Sequence, residues 1–474
     1  MDFQTKGVRF ALKLSGRALI GDEMGLGKTV QALALVAAYR DSWPVLIVTP
    51  SSLKIQWADA IHEWLRVTEE HVAVVSNGKD TKALASRFVI MSYDFVPKMY
   101  LQLKERNFQM IICDEAHYIK NHKSKRSKDT LPLLQQAKRV VLLTGTPALS
   151  RPIELLQLLR AVHPKAVRSM KEYGDRYCSG GYWNKFPGAM YNGASNLKEL
   201  HQVVTSTTMV RRLKKEVLSE LPSKRRQQVM LPITSAEIRQ LKKVTAEVES
   251  ISEGLKDGSL PGGIESVFGG ELAQKSMVNQ LYLKTAEIKA KLVCEYVNVM
   301  LAADEKFLVF GHHKCMLDAI ESNLREKKVK FIRIDGSTPS SERYTHVQTF
   351  QENADFKVAV LSIKAAGVGL TLTAASVVVM AELDWVPGNL VQAEDRAHRI
   401  GQASSVNVYY LHLKGSVDDL IWRLLQRKLN AVGEMLDGHG DKLVTGTPTP
   451  NSAGFDASKT PKGKKITNFF KKKE

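Results

Sequence analysis

A short apolar run, Ala18-Leu19-Ile20, ends in Gly21-Asp22-Glu23-Met24-Gly25-Leu26-Gly27-Lys28-Thr29 and leads into a helix-like run, Val30 to Tyr39. Strand, glycine-rich loop and helix in that order make a phosphate cradle. Glycines let backbone N–H groups approach phosphate oxygens, and the helix offers unsatisfied N-terminal donors and its positive dipole end. In such a loop Lys28 reaches the β- and γ-phosphates, and the Thr29 hydroxyl ligates Mg²⁺. The strict pattern asks for glycine where Asp22 stands. A glycine-rich turn that merely carries Lys-Thr therefore remains a competing reading, and a second half of the site has to decide.

Met110-Ile111-Ile112-Cys113-Asp114-Glu115-Ala116-His117 supplies that half. An apolar strand ends in two adjacent carboxylates. Asp114 at the strand tip suits Mg²⁺ held through water, and Glu115 suits orienting or deprotonating the attacking water. Solvated acids at a strand end would be the bland reading, but the lysine loop beside them argues for a phosphohydrolase sheet. The next strand exits through Leu142-Leu143-Thr144-Gly145-Thr146-Pro147. Thr144 and Gly145 there are candidates for an element that reports nucleotide state to a nucleic-acid groove; a plain strand exit explains them as well. Ser51 and Ser52, after the strand Val45–Thr49, are candidate donors to a nucleic-acid phosphate. A helix N-cap is an equally good reading of Ser51.

Strand-like runs at Ala18–Ile20, Val45–Thr49, Phe88–Ser92, Met110–Cys113 and Val140–Leu143 alternate with helical patterns such as Val30–Arg40, Leu53–Leu65 and Lys128–Gln136. That rhythm predicts a doubly wound parallel sheet over residues 1–164, with ligands at the carboxyl ends of its strands. A length of 474 residues suits about two to four domains. The net charge of +19 favours a polyanion partner, most often nucleic acid. Seven lysines lie between Lys459 and Lys473, yet the rest of the chain stays basic without them. The four cysteines are far apart, which supports neither a disulfide framework nor a zinc module. No apolar window spans a membrane and no secretory leader is evident, so no membrane role is expected.

These motifs together resemble motifs I, II and III of superfamily-two helicases. The Asp22-Glu23-Met24-Gly25-Leu26-Gly27 form is similar to the Swi/Snf branch, where aspartate at the position of Asp22 is usual. The resemblance implies ATP and Mg²⁺ as cofactors, with Asp22 to Thr29 forming the nucleotide loop. It also implies an adenine contact from an upstream glutamine, matched by Gln4 in Phe3-Gln4-Thr5-Lys6-Gly7-Val8.

Residues 165–288 lose the strand–helix rhythm and read as helical insertions and linker between two lobes, a place where Swi/Snf enzymes carry helical protrusions. Arg211 to Lys215 form a basic stretch that suits phosphate binding, lobe coupling or a solvated helix face. Gly180 to Asn196 form a long irregular run, a candidate lid or substrate loop. From Lys289 the alternation returns, with strands expected at Phe307–Phe310, Phe331–Ile334, Val358–Ser362, Val377–Met380 and Val406–Leu411. The fold expected is therefore α/β, two RecA-like parallel-sheet lobes, the second over 289–437. His312-His313 lacks a third ligand at metal spacing. Helical spacing places Gln392, Arg396 and Arg399 on one face, and two guanidiniums suit a developing phosphoryl charge supplied from across a cleft. The stretch Gln392 to Gln402 resembles motif VI; which arginine is the finger stays open. Ala365 to Leu372, with Gly367 and Gly369, resembles motif V and implies DNA-backbone contact. Trp385 matches a family aromatic near the duplex, although a core tryptophan explains it equally.

Residues 438–474 turn to Thr, Pro, Ser, Gly and Lys, a composition that reads as a disordered basic tail. Within 463–470, Ile466, Phe469 and Phe470 would meet on one helical turn. That resembles the sliding-clamp (PCNA) interaction box, with Gly463 where glutamine is expected. Within the family the closest resemblance is to the annealing-helicase (HARP-like) subgroup. It implies ATP-driven translocation on double-stranded DNA with reannealing or remodelling of stalled forks. The lysines flanking the tail box suit a nuclear import signal, and a monomer in the nucleus is expected. A nucleosome remodeller is the alternative within the class, and an idle DNA- and clamp-binding scaffold the alternative outside it.

Overall fold

The computed structural model describes residues 1–164, 167, 169–179, 191, 193–218, 220–232, 246, 272–364 and 369–440. Most of the 180–196 run, Gly367 and the tail with Ile466, Phe469 and Phe470 lie outside them. The chain divides into two compact units.

In the first unit the sheet runs β3 (Val72–Val74), β4 (Phe88–Ser92), β2 (Val45–Thr49), β5 (Met110–Asp114), β6 (Arg139–Leu143), β1 (Arg17–Ile20), β7 (Met209–Val210). All its pairings are parallel. Every residue of β2, β4 and β5 is buried, which is why these strands read as unbroken apolar runs rather than alternating ones. Helices α1 (Asp2–Lys13), α2 (Lys28–Ala38), α3 (Lys54–Leu65), α4 (Tyr100–Arg106), α5 (Lys125–Gln136), α6 (Leu155–Val162), α7 (Met170–Tyr177), α8 (Leu197–Thr207) and α9 (Lys214–Val217) belong to this unit. Leu155, Leu156, Leu158, Leu159 and Val162 bury the apolar stripe of α6.

The second unit has the order β10 (Lys330–Ile334), β11 (Phe356–Ser362), β9 (Phe307–Gly311), β12 (Val377–Met380), β13 (Val406–His412), β8 (Lys224–Met230), again parallel throughout. Its helices are α10 (Leu272–Leu301), α11 (Lys314–Glu326), α12 (Ser340–Glu352), α13 (Pro387–Glu394) and the start of α14 (Val417–Asp437). The two-sheet α/β architecture expected from the sequence is thus observed, with the anticipated strands in place.

The divisions at residues 164 and 288 shift. The first unit runs from Met1 to Leu221 and takes back Lys428–Asp441 from the far end of the chain; the second begins at Pro222. Two strands lie in the stretch expected to be helical. β7 is only two residues long, too short to show a period. β8 is Lys-Arg-Arg-Gln-Gln-Val-Met, the opposite of a buried-strand composition, because it is an edge strand paired only to β13. Two of its three cations, Lys224 and Arg226, are spent on buried acids. Arg226 donates from Nε and Nη2 to Glu394 at 2.8 Å each, and Lys224 reaches Glu394 and Asp395 at 2.9 Å.

Burial pushes the Glu394 carboxyl up, but the charges of Arg226 and Lys224, with hydrogen bonds from Arg226 and Tyr410, outweigh it and hold it at about 2. A pKa depressed on folding adds stability above the unfolded value near 4.5, and that stability is lost as pH falls toward about 2. Glu394→Gln is therefore expected to lower stability at neutral pH by roughly 3 kcal/mol, since Arg226 loses its charged partner and Lys224 keeps only Asp395 of its two. It should also flatten the acid limb of stability; urea melts from neutral to acid pH read both effects.

All four cysteines are free thiols. No described helix is long and apolar enough to cross a membrane.

Candidate nucleotide site

The order β5–β6–β1–β7 sets the candidate residues side by side. Asp114 pairs in register with Leu143, and Leu143 with Ile20. The loops leaving these strands therefore emerge at one edge. Gly27 takes the left-handed conformation (φ 72°) as it caps α2, a geometry that glycine adopts without a Cβ clash. Gly145 lies so close to the loop that a Cβ there would meet Met24 Cγ at 2.6 Å and Lys28 Nζ at 3.5 Å. The turn after β6 thus leaves no room for a side chain at 145, which would fill the cradle.

Lys28 Nζ donates to the carbonyls of Asp22 (2.9 Å) and Glu23 (3.3 Å). These are neutral acceptors, which an anionic phosphate outbids. Thr29 lies next on α2, half-buried. Gln4, in the first turn of α1, donates to Leu26 O at 3.2 Å and so stands against the loop.

Asp114 is buried; its Oδ2 accepts from Trp57 Nε1 (2.8 Å) and its Oδ1 from Glu115 N (2.9 Å). Burial and the adjacent Glu115 charge push its carboxyl up to about 6, against the pull of Trp57 and Lys28. A buried carboxylate pair under mutual repulsion, facing a lysine, is a donor set that a hard divalent cation suits. Glu115 sits at φ 49°, a left-handed position that costs a non-glycine residue roughly 1–3 kcal/mol. Its Oε2 lies 3.2 Å from His117 Nδ1 and 3.4 Å from Thr144 Oγ1, and His117 and Thr144 are 3.1 Å apart. Thr146 N donates to Thr144 Oγ1 at 3.2 Å. This chain ties motif II to motif III through side chains.

Three expectations change. Asp22 does not line the phosphate space. Its fully buried carboxylate accepts from Gln31 Nε2 (2.8 Å) and Arg212 Nε (2.8 Å) and is salt-bridged to Arg212 Nη2. Glu23 likewise accepts from Lys214 N at 2.7 Å. Thr144 is fully buried and turned to Glu115 and His117, so it offers no surface to a nucleic acid. The helix expected to carry all three motif VI side chains ends at Glu394. Beyond it Arg396 is wholly buried, donating to Gln392 O (3.0 Å) and Leu370 O (3.3 Å). Arg399 is half-exposed, donating to Asp395 O (3.0 Å) and Thr371 Oγ1 (3.1 Å).

Sequence reasoning left Arg211 and Arg212 in a basic stretch with several open roles and did not place them beside this loop. They follow β7, which pairs with β1, and so land behind the phosphate loop. Arg211 Nη1 donates to Gly21 O (2.8 Å) and Gly145 O (3.0 Å). Arg212 lies 5.3 Å from the Phe3 ring, bonds the Phe3 carbonyl and holds Asp22. The available signal was Asp22 itself, a charge on an apolar strand–loop junction that needs a buried cation. Arg212→Ala is expected to cost about 3–5 kcal/mol by leaving Asp22 buried against Gln31 alone. Adding Asp22→Asn should recover part of that loss in thermal melts.

Elsewhere, Ser51 is exposed and Ser52 half-buried at the carboxyl end of β2, and no serine side chain caps α3. Gly369 takes φ 75°. Half-buried Trp385 packs edge-on against Tyr282 at 5.4 Å. His313 pairs with Glu382 at 2.6 Å, and His312 lies 3.5 Å from Asp384.

A glycine–lysine loop, a strand ending in two carboxylates and the Thr144 turn on one parallel sheet, followed by a second parallel sheet with its own arginine stretch, match the layout of a helicase-type ATPase core. The chain belongs to the SNF2-related family: the SNF2-related domain matches residues 3–283, and the helicase conserved C-terminal domain matches residues 288–401. Among curated relatives, the human DNA annealing helicase and endonuclease ZRANB3 is 43% identical over 94% of this chain and 41% of its own length. The Xenopus laevis SWI/SNF-related matrix-associated actin-dependent regulator of chromatin subfamily A-like protein 1 is 42% identical over 100% of this chain and 47% of its own. The chain thus spans under half the length of these two. A solved chain, the Sulfolobus solfataricus SWI2/SNF2 ATPase core in complex with dsDNA, aligns at 24% identity over 92% of both chains, with a TM-score of 0.41.

Proposed function

We propose that the chain is a DNA-stimulated ATP hydrolase that translocates on double-stranded DNA and reanneals or remodels stalled replication forks. The observation that carries this reading is the joined edge of Lys28, Asp114, Glu115 and Thr144 in a chain 43% identical to a protein named as a DNA annealing helicase. The charge of +19 supports a polyanionic track.

In this reading Lys28 and the loop N–H groups bind the phosphates, and Gln4 orients the base. Thr29 and Asp114 would hold magnesium, which would supply charge neutralisation on the phosphates. Glu115 takes the proton of the attacking water at Oε2, with His117 and Thr144 fixing that oxygen. Burial favours Arg399 over Arg396 as the residue that answers phosphoryl charge; Arg396 and Gln392 shape the stretch that carries it. Ser51, Ser52, Gly145, Gly367, Gly369 and Trp385 are the proposed DNA-facing set. Forked DNA is the proposed substrate, and Ile466, Phe469 and Phe470 are proposed to dock on the sliding clamp in the nucleus.

The test is ATP turnover on duplex, forked and nucleosomal DNA, together with rewinding of a bubble coated by single-strand binding protein. Strongest stimulation by forks with rewinding supports the proposal. Strongest stimulation by nucleosomes would move the chain to chromatin remodelling, and DNA binding without turnover would make it a scaffold.

A further inference from the structure

The last described segment of the chain returns to the first unit and ends on the residue that braces the phosphate loop. Residues 428–441 belong to that unit, although more than two hundred residues separate them from its other part, Met1–Leu221. Met435 and Leu436 at the end of α14 are buried in its core. His201 Nδ1 meets Met435 O at 3.2 Å, and Lys215 Nζ meets His439 Nε2 at 3.5 Å. Asp437 closes the helix. Its Oδ1 accepts from Arg211 Nε at 2.5 Å and its Oδ2 from Arg211 Nη2 at 3.4 Å.

Arg211 has five N–H donors in a fixed plane. One edge of that plane is held by Asp437, while Nη1 donates to Gly21 O, where the phosphate loop begins, and to Gly145 O, in the turn after β6. The side chains of Arg211 and Asp437 are only 10% and 13% exposed, so the pair is largely screened from water. A guanidinium without its carboxylate would turn toward other acceptors, and both glycine carbonyls would lose a charged donor. Because the Gly145 turn lies so near Met24 and Lys28 that a Cβ at 145 would meet both, slack at Arg211 is slack in the cradle.

We propose that Asp437 is a positioning residue for the nucleotide site: through Arg211 it sets the spacing of the phosphate loop and the Gly145 turn, so that seating of the C-terminal end of α14 controls nucleotide affinity. This rests on the nucleotide-site reading above but not on hydrolysis. It goes beyond that reading by assigning to the end of α14 a part in the site that neither motif contains.

The test uses the full chain with Asp437→Asn, which keeps shape and removes charge. Dissociation of a fluorescent ADP analogue should quicken by roughly tenfold, and KM for ATP should rise by a similar factor with a smaller change in kcat. Unchanged ADP release in a variant that melts like the parent overturns the proposal. So does a loss of kcat at constant KM that merely follows the unfolded fraction. Hydrogen exchange of the unaltered protein gives a second reading that needs no variant: ADP should slow exchange across residues 430–440, and no change there would also overturn it. If the parent binds ADP but never hydrolyses ATP, the functional reading fails while the release and exchange measurements still decide this one.

Discussion

Lys28→Ala is expected to abolish ATP turnover, by roughly a thousandfold or more, while leaving the melting temperature and duplex binding close to those of the parent. The size follows from removing a preorganised cation aimed at phosphate charge. The sparing of the fold follows from the local structure. Lys28 Nζ donates to carbonyls of its own loop, and the side chain is half-buried rather than part of a core. Stopped turnover with retained DNA binding would be read from a coupled phosphate-release assay beside a duplex titration. Turnover within tenfold of the parent would remove the nucleotide site from this loop.

The two arginines of the second unit should behave differently from each other. Arg399→Ala is expected to lower DNA-stimulated turnover by roughly a thousandfold or more, in the range seen when an arginine that answers phosphoryl charge is removed. Its melting curve should change little, because Arg399 is half-exposed and anchored to Asp395 O and Thr371. Arg396→Ala should also lose turnover, but through the fold. Arg396 is wholly buried and ties the end of α13 to Leu370 O, so its loss leaves polar groups unmet in a core, at about 1–3 kcal/mol for each. Nucleotide binding, turnover and melting temperature measured on both variants distinguish the two. Equal destabilisation by both, or a near-normal Arg399→Ala, would refute the assignment.

Legibility in the sequence followed the physics of burial. Val45-Leu46-Ile47-Val48 and Phe307-Leu308-Val309-Phe310 are buried on both faces of a parallel sheet and could hardly be anything else. Lys28, Asp114 and Glu115 stood out in the sequence because phosphate chemistry links residue type to spacing, and the sheet order sets their loops side by side. β7 and β8 were not. A two-residue strand carries no period, and a strand whose Lys224 and Arg226 neutralise acids 171 and 168 residues away looks like a solvated charge run until its partners are known. Asp22 misled for the same reason. Its place inside a phosphate motif suggested ligand contact, whereas its partner, Arg212, comes from 190 residues on. Arg396 shows the limit of helical spacing as a guide: the i, i+4 rule put it on a helix face, and the helix stops two residues earlier.

The polar edge strand has a practical outcome for anyone who wishes to prepare the second unit alone. β13 is Val-Asn-Val-Tyr-Tyr-Leu-His, and β8 covers its outer rim along all seven residues. A fragment begun at residue 289, where the apolar rhythm resumes, would leave that rim bare and Glu394 without its cations. Bare, apolar sheet rims recruit copies of themselves, so such a fragment should precipitate. One begun at Pro222 should stay in solution, and the difference would come from seven mostly polar residues that look dispensable on paper.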